Sequence, residues 1–67
     1  MLNDQSPPVP VALLTEEQTA QLLSLSIRTL QAWRLREAGP RFVRAGRAIR
    51  YRRSDVDQWI AANTYGA

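Results

Sequence analysis

The run SLSIRTLQAWRLREAGPRFVRAGRAIRYRRSD, residues 24–55 of a 67-residue chain, decides the fold. Ser24-Leu25-Ser26 interrupts the helical pattern and offers Ser26 as the cap of a new helix. From Ile27 to about Arg36 the spacing predicts that helix. At 100° per residue, Leu30, Trp33 and Glu37 share one face, flanked by Ile27 and Arg34. The opposite side carries Arg28, Thr29, Gln31, Ala32, Leu35 and Arg36, so one face packs and the other meets solvent. Gly39-Pro40 ends the helix. Then Arg41-Phe42-Val43-Arg44, Ala45-Gly46-Arg47-Ala48 and Ile49-Arg50-Tyr51-Arg52 read as strand, turn, strand. Gly46 supplies the positive φ that a tight hairpin needs. Ile49 and Tyr51 point to one side of the second strand, Arg50 and Arg52 to the other.

Toward the N-terminus, Thr15 is placed to cap a helix running to about Leu23. Gln18, three residues on, can reach back to the cap, and Glu16 and Glu17 suit the helix dipole. Ala20 and Leu23 form its apolar side. Two short helices joined by a three-residue turn, the second one basic, are the elements of a helix-turn-helix. Toward the C-terminus, Ser54 reads as a third cap. Asp55 and Asp57 would lie in the first turn of a last helix carrying Val56, Trp59 and Ile60 at packing intervals. A lone two-stranded ribbon is marginal in water, so Val43, Ile49 and Tyr51 are expected to rest on the helices. Trp33 and Trp59 sit on apolar helix faces, a spacing for core packing rather than for stacking on bases.

The expected architecture is therefore α+β and mainly helical: three short helices plus a two-stranded β-hairpin wing. It would occupy residues 13–62, after a proline-containing tail over 1–12 (Pro7, Pro8, Pro10) and before a frayed end over 63–67.

The formal charge of +3 conceals a strong asymmetry. Residues 1–27 hold no base and three acids, Asp4, Glu16 and Glu17. Residues 28–53 hold all nine arginines against the single acid Glu37, and Asp55 and Asp57 come after them. A block that gathers every cation is an electrostatic footprint for a polyanion, and nucleic acid is the commonest inside a cell. Arginine without lysine adds the planar fork that pairs bidentately with phosphate and guanine edges.

What is missing narrows the chemistry. The chain has no cysteine, no histidine and no lysine. Disulfides, thiolate or imidazole metal sites and Ser-His or Cys-His catalysis are therefore out of reach. The scattered acids form no catalytic set, so neither enzyme activity nor a cofactor or metal is expected. No uninterrupted apolar run is longer than Val11–Leu14, which predicts neither a membrane span nor a secretory signal and suits a cytoplasmic protein. The sequence offers no aromatic platform on a sheet for RNA.

Taken in order, Leu14-Thr15, Ala20 and Leu23, Ser26 with Thr29-Leu30 and Trp33, Gly46-Arg47, and Tyr51-Arg52-Arg53-Ser54-Asp55 with Trp59 carry a family pattern. The chain resembles the small excisionase and MerR-like winged helix-turn-helix family, which includes AlpA-type prophage regulators and recombination directionality factors. Thr19 departs from it, standing where a small apolar residue is usual, and Ser24 replaces the customary glycine of the turn.

The resemblance implies a DNA-binding protein whose second helix enters the major groove and whose wing reaches the minor groove. On the helix, Arg28 is expected at a guanine edge or phosphate, Gln31 at an adenine edge or phosphate, Thr29 at phosphate, and Ala32 at close approach or a thymine methyl. Arg34 and Arg36 would hold the backbone. In the wing, Arg44, Gly46, Arg47 and Arg50 surround the turn, with Arg47 inserting into the minor groove. Arg41, Arg52 and Arg53 would contact phosphates, or Arg53 could pair with Asp57 instead.

The implied role is a bacterial, nucleoid-associated architectural factor. It would bind attachment-site DNA beside neighbouring copies of itself and turn an integrase toward excision, with no small-molecule effector and no membrane partner. A stand-alone transcriptional regulator of a mobile element and a protein-binding antiactivator with the same fold stay open.

Overall fold

The computed structural model of the protein describes residues 13–66; the expected tail over 1–12 and Ala67 lie outside them. Six elements succeed one another: β1 (Leu13–Thr15), α1 (Glu16–Leu23), α2 (Ile27–Leu35), β2 (Val43–Ala45), β3 (Ala48–Arg52) and α3 (Arg53–Ala62). Residues 63–66 continue past α3 as exposed chain without a regular element. Three helices and a small antiparallel sheet make this an α+β winged helix-turn-helix.

Local chemistry sets the helix ends. Gln18 N donates to Thr15 Oγ1 at 3.0 Å and Thr15 N donates to Gln18 Oε1 at 2.9 Å, completing the capping box that opens α1. Thr29 N donates to Ser26 Oγ at 3.2 Å at the start of α2. At the end of α1, Ser24 takes the left-handed conformation (φ 58°, ψ 41°) and Leu25 N donates to Ala20 O at 2.9 Å. That pairing closes a Schellman-type turn, in which glycine is the usual left-handed residue. The end of α2 repeats it: Glu37 has φ 56°, and Ala38 N donates to Trp33 O at 2.7 Å. Glu37 thus lies past the helix, exposed, and not on its packing face.

Two expectations need correction. The β2–β3 hairpin forms as expected, but the sheet has a third strand beside it. β1 pairs antiparallel with β3 through Leu13↔Arg52, Leu14↔Tyr51 and Thr15↔Arg50, while β2 pairs with the other side of β3 through Val43↔Arg50 and Ala45↔Ala48. The order β1-β3-β2 makes β3 the central strand. A third strand gives the ribbon the support that two strands lack in water. Ser54 is not a cap. β3 runs straight into α3, so Arg52 takes the N-cap position with no side-chain cap bond, and Ser54 is the second helical residue. Asp55 carries the acidic role in the first turn, and Asp57 lies beyond it.

The core is small. Ala20, Leu30, Ile49, Tyr51 and Val56 are buried, with Leu14, Leu23, Ile27, Trp33 and Phe42 packed around them. Val43 is half-buried and Ile60 exposed, so the sheet rests on the helices chiefly through Ile49 and Tyr51. Thr19 is fully buried, and its hydroxyl donates to Thr15 O at 2.8 Å. That bond lets a polar residue stand at an apolar position without an unpaired donor. Trp33 and Trp59 are half-buried and pack on each other, fastening α2 to α3 at the edge of the core.

Candidate nucleic-acid interface

The candidate interface is built on α2 and on the wing, two elements held by the same core. Leu30, with no exposed surface, anchors the inner face of α2, while Arg28, Ala32, Leu35 and Arg36 are exposed outside it. Arg28, Ala32 and Leu35, at i, i+4 and i+7, form one stripe along the helix. Leu35 is 79% exposed, an apolar group set among cations on the face open to a partner. Thr29 and Gln31 are half-buried. The Thr29 hydroxyl lies 3.0 Å from Ser26 Oγ, so it is tied into the cap of its own helix.

The wing tip is a two-residue loop, Gly46-Arg47, between the paired residues Ala45 and Ala48. Gly46 has φ +65° and Arg47 is not among the positive-φ residues, the sign pattern of a II′ hairpin turn. No heavy atom lies within 4 Å of where a Cβ on Gly46 would stand, so conformation, not space, favours glycine there. Arg47 is exposed in the tip itself, and Arg44 is exposed on the strand that leads into it. The Arg44 guanidinium stands 6.0 Å from the centre of the Phe42 ring, at the limit of a cation–π contact.

The nine arginines therefore divide. Arg34, Arg52 and Arg53 are in ion pairs: Arg34 Nε with Glu16 Oε2 at 2.8 Å, Arg52 Nη1 with Asp55 Oδ2 at 3.3 Å and Arg53 Nε with Asp57 Oδ1 at 3.1 Å. Arg50 turns back, its Nη1 donating to the carbonyl of Ile49 at 2.8 Å. Arg28, Arg36, Arg41, Arg44 and Arg47 are exposed and have no carboxylate partner among the described residues. The Arg53–Asp57 pair, exposed on both sides, is weak in water and readily traded for a phosphate, and the Arg52 guanidinium is half exposed although Asp55 is shielded. The Arg34–Glu16 pair differs, because its side chains are only 19% and 15% exposed.

That pair is what sequence reading passed over. Glu16 in the first turn of a helix reads as a dipole partner, and nothing local marks its reach to α2. Its surroundings show in Tyr51: burial pushes the phenol above its ordinary value of 10.0, the Glu16 charge pushes it further, and the Arg34 charge opposes.

Among the described residues no group of three or more acidic side chains is placed to hold a metal ion, and no helix is long and apolar enough to cross a membrane. No curated protein matches the chain. The helix-turn-helix domain family matches residues 13–64, a span that takes in every element from β1 to the end of α3. With its cations gathered on α2, the wing and the approach to α3, the chain belongs to the helix-turn-helix domain family and is built as a DNA-binding member of it.

Proposed function

We propose that the protein is an architectural factor for double-stranded DNA, of the recombination-directionality kind, that bends attachment-site DNA so that an integrase recombines in the excising direction. α2 lies in the major groove with Arg28, Gln31 and Ala32 toward base edges, and the Gly46-Arg47 tip enters the adjacent minor groove. Arg36, Arg41 and Arg44 hold phosphates, joined by Arg52 and Arg53 once their surface pairs open. The chain takes no catalytic step and needs no cofactor.

The observation that carries this reading is the set of five exposed arginines that have no carboxylate partner among the described residues, spread over the recognition helix, the loop after it and the wing. A flat cationic patch would serve any polyanion, whereas a basic helix beside a basic hairpin tip suits two adjoining grooves of a duplex. The recombination role rests on the resemblance to excisionases. Side-by-side copies on neighbouring sites are expected from size, since a single module buries only about 600–1,000 Å² on DNA.

Excision assays with the purified integrase of the same element, run with and without the protein, test the role. A rise in excised product is expected. Unchanged excision together with altered output from a promoter reporter would assign the same contacts to transcriptional regulation.

A further inference from the structure

The strongest feature outside the contact surface is the ion pair between Glu16 and Arg34. It joins the first turn of α1 to the last turn of α2. Nε to Oε2 is 2.8 Å, and both side chains are more than four-fifths shielded from solvent. The pair stands beside the buried Tyr51 of the central strand, where both charges act on the phenol. Screening is weaker there than at the Arg53–Asp57 pair, whose side chains are both more than half exposed, so this contact is the more firmly held of the two.

We infer that Glu16 is a positioning residue for DNA recognition: its carboxylate fixes the tilt of α2 against α1 and withholds the Arg34 guanidinium from the phosphate backbone. The inference rests on the DNA-binding reading above. α2 has two anchors that set its rotation, the apolar one through Leu30 and Trp33 and the polar one through Arg34. Apolar packing is non-directional, whereas a charge-assisted hydrogen bond of this length specifies an angle. Glu16 thus decides how many charges the protein commits to phosphate as well as where Arg28 and Gln31 point. Withholding one arginine lowers binding to every sequence equally, so it raises the share of affinity that depends on base contacts.

The test compares the full chain with its Glu16→Ala and Arg34→Gln variants, each shown by circular dichroism and thermal melting to be folded. The probes are a duplex selected by the wild-type protein from a random pool and a scrambled duplex of equal length, titrated over a range of salt. Glu16→Ala should lower the ratio of selected to scrambled affinity by about tenfold, comparable to one mismatched base pair. It should also steepen the slope of log affinity against log salt by about 0.9, as Arg34 gains a phosphate. Arg34→Gln should lower the ratio while leaving the slope at its wild-type value. A folded Glu16→Ala protein with wild-type ratio and slope overturns the inference. So does a shallower slope for Arg34→Gln, which would make Arg34 a phosphate contact already. If Glu16→Ala does not fold, the Arg34→Gln arm decides alone. Failure of the wild-type protein to bind either duplex would overturn the DNA-binding reading itself, and this role with it.

Discussion

Trp33 on α2 and Trp59 on α3 meet with ring centroids 5.3 Å apart and planes tilted by 44°. Such offset aromatic pairs add about 0.5–1.5 kcal/mol beyond the area they bury. The contact also governs the loop after α2, because Gly39 lies directly over Trp33: a Cβ there would stand 2.6 Å from Cε3. Gly39 has φ +77°, which an L side chain tolerates poorly. Gly39→Ala should therefore cost about 2 kcal/mol or more, from strain and overpacking together. Trp59→Ala should cost a similar amount, about 2 kcal/mol, since the ring it removes is half-buried. Urea unfolding monitored by circular dichroism measures both, and a wild-type midpoint for Gly39→Ala would show that the loop can move away from the indole.

Ser24 and Glu37 both sit in the left-handed region, at φ 58° and 56°. Each bears the cost of a Cβ in that conformation, about 1–2 kcal/mol, and glycine would relieve it while adding freedom to the unfolded chain. Ser24→Gly and Glu37→Gly should each stabilise by about 0.5–1 kcal/mol, raising the melting temperature by several degrees in a domain of this size. Thermal melts of the two single variants and the double variant check this. The gains should add, because the two turns lie at different helix ends and share no partner.

Variants of Arg28 and Arg47 test the proposed major-groove and minor-groove contacts separately. Arg28→Ala should cost about 1–3 kcal/mol on the preferred duplex and relax base preference, with a smaller effect on random DNA. Arg47→Ala should weaken binding chiefly where the site is flanked by A·T-rich sequence, whose narrow minor groove has the more negative potential. Mobility shifts on A·T- and G·C-flanked sites distinguish the two. With about five phosphates neutralised, log affinity should fall against log salt with a slope near −4.5. A response flat in salt would rule out a phosphate-driven interface.

Stability should depend on pH through Tyr51, whose phenol is held above its ordinary value of 10.0 by burial first and by Glu16 second, against Arg34. In the folded state the proton is retained; in the unfolded chain it leaves from about pH 10. Above that point the unfolded state binds fewer protons than the native one, so the stability contributed by the neutral phenol is whole below about pH 10 and is lost as pH rises through the folded value. Denaturant titrations from about pH 9 to pH 11 should show this decline, and Tyr51→Phe should flatten it.

Capping chemistry made α1 and α2 readable, because Thr15 with Gln18 and Ser26 act within three residues of themselves. The wing was readable for the same reason: alternation and a glycine turn are local signals. β1 was not, since Leu13-Leu14-Thr15 is too short to display a period and its partner strand lies beyond both helices and the hairpin turn. The start of α3 was misplaced because a strand leading directly into a helix makes Arg52 the cap position, whatever Ser54 offers. Basic residues marked the candidate interface collectively, but position alone did not tell that Arg34 faces inward to Glu16 while Arg36, two residues on, faces solvent.

The clasp between β1 and β3 has a consequence for how the chain acquires its fold. Leu14 pairs with Tyr51, so the whole helix-turn-helix and the first wing strand lie inside a single closed loop of chain. Closing a loop of that length costs entropy before any sheet bond is gained, which makes it a late step in folding relative to the helices and the hairpin. A fragment ending after α2 would retain both capped helices yet lack Ile49, Tyr51 and Val56, three of the five buried core residues. The recognition helix is thus not a portable unit: its orientation exists only once the second strand of the wing has come back to meet the strand that precedes the first helix.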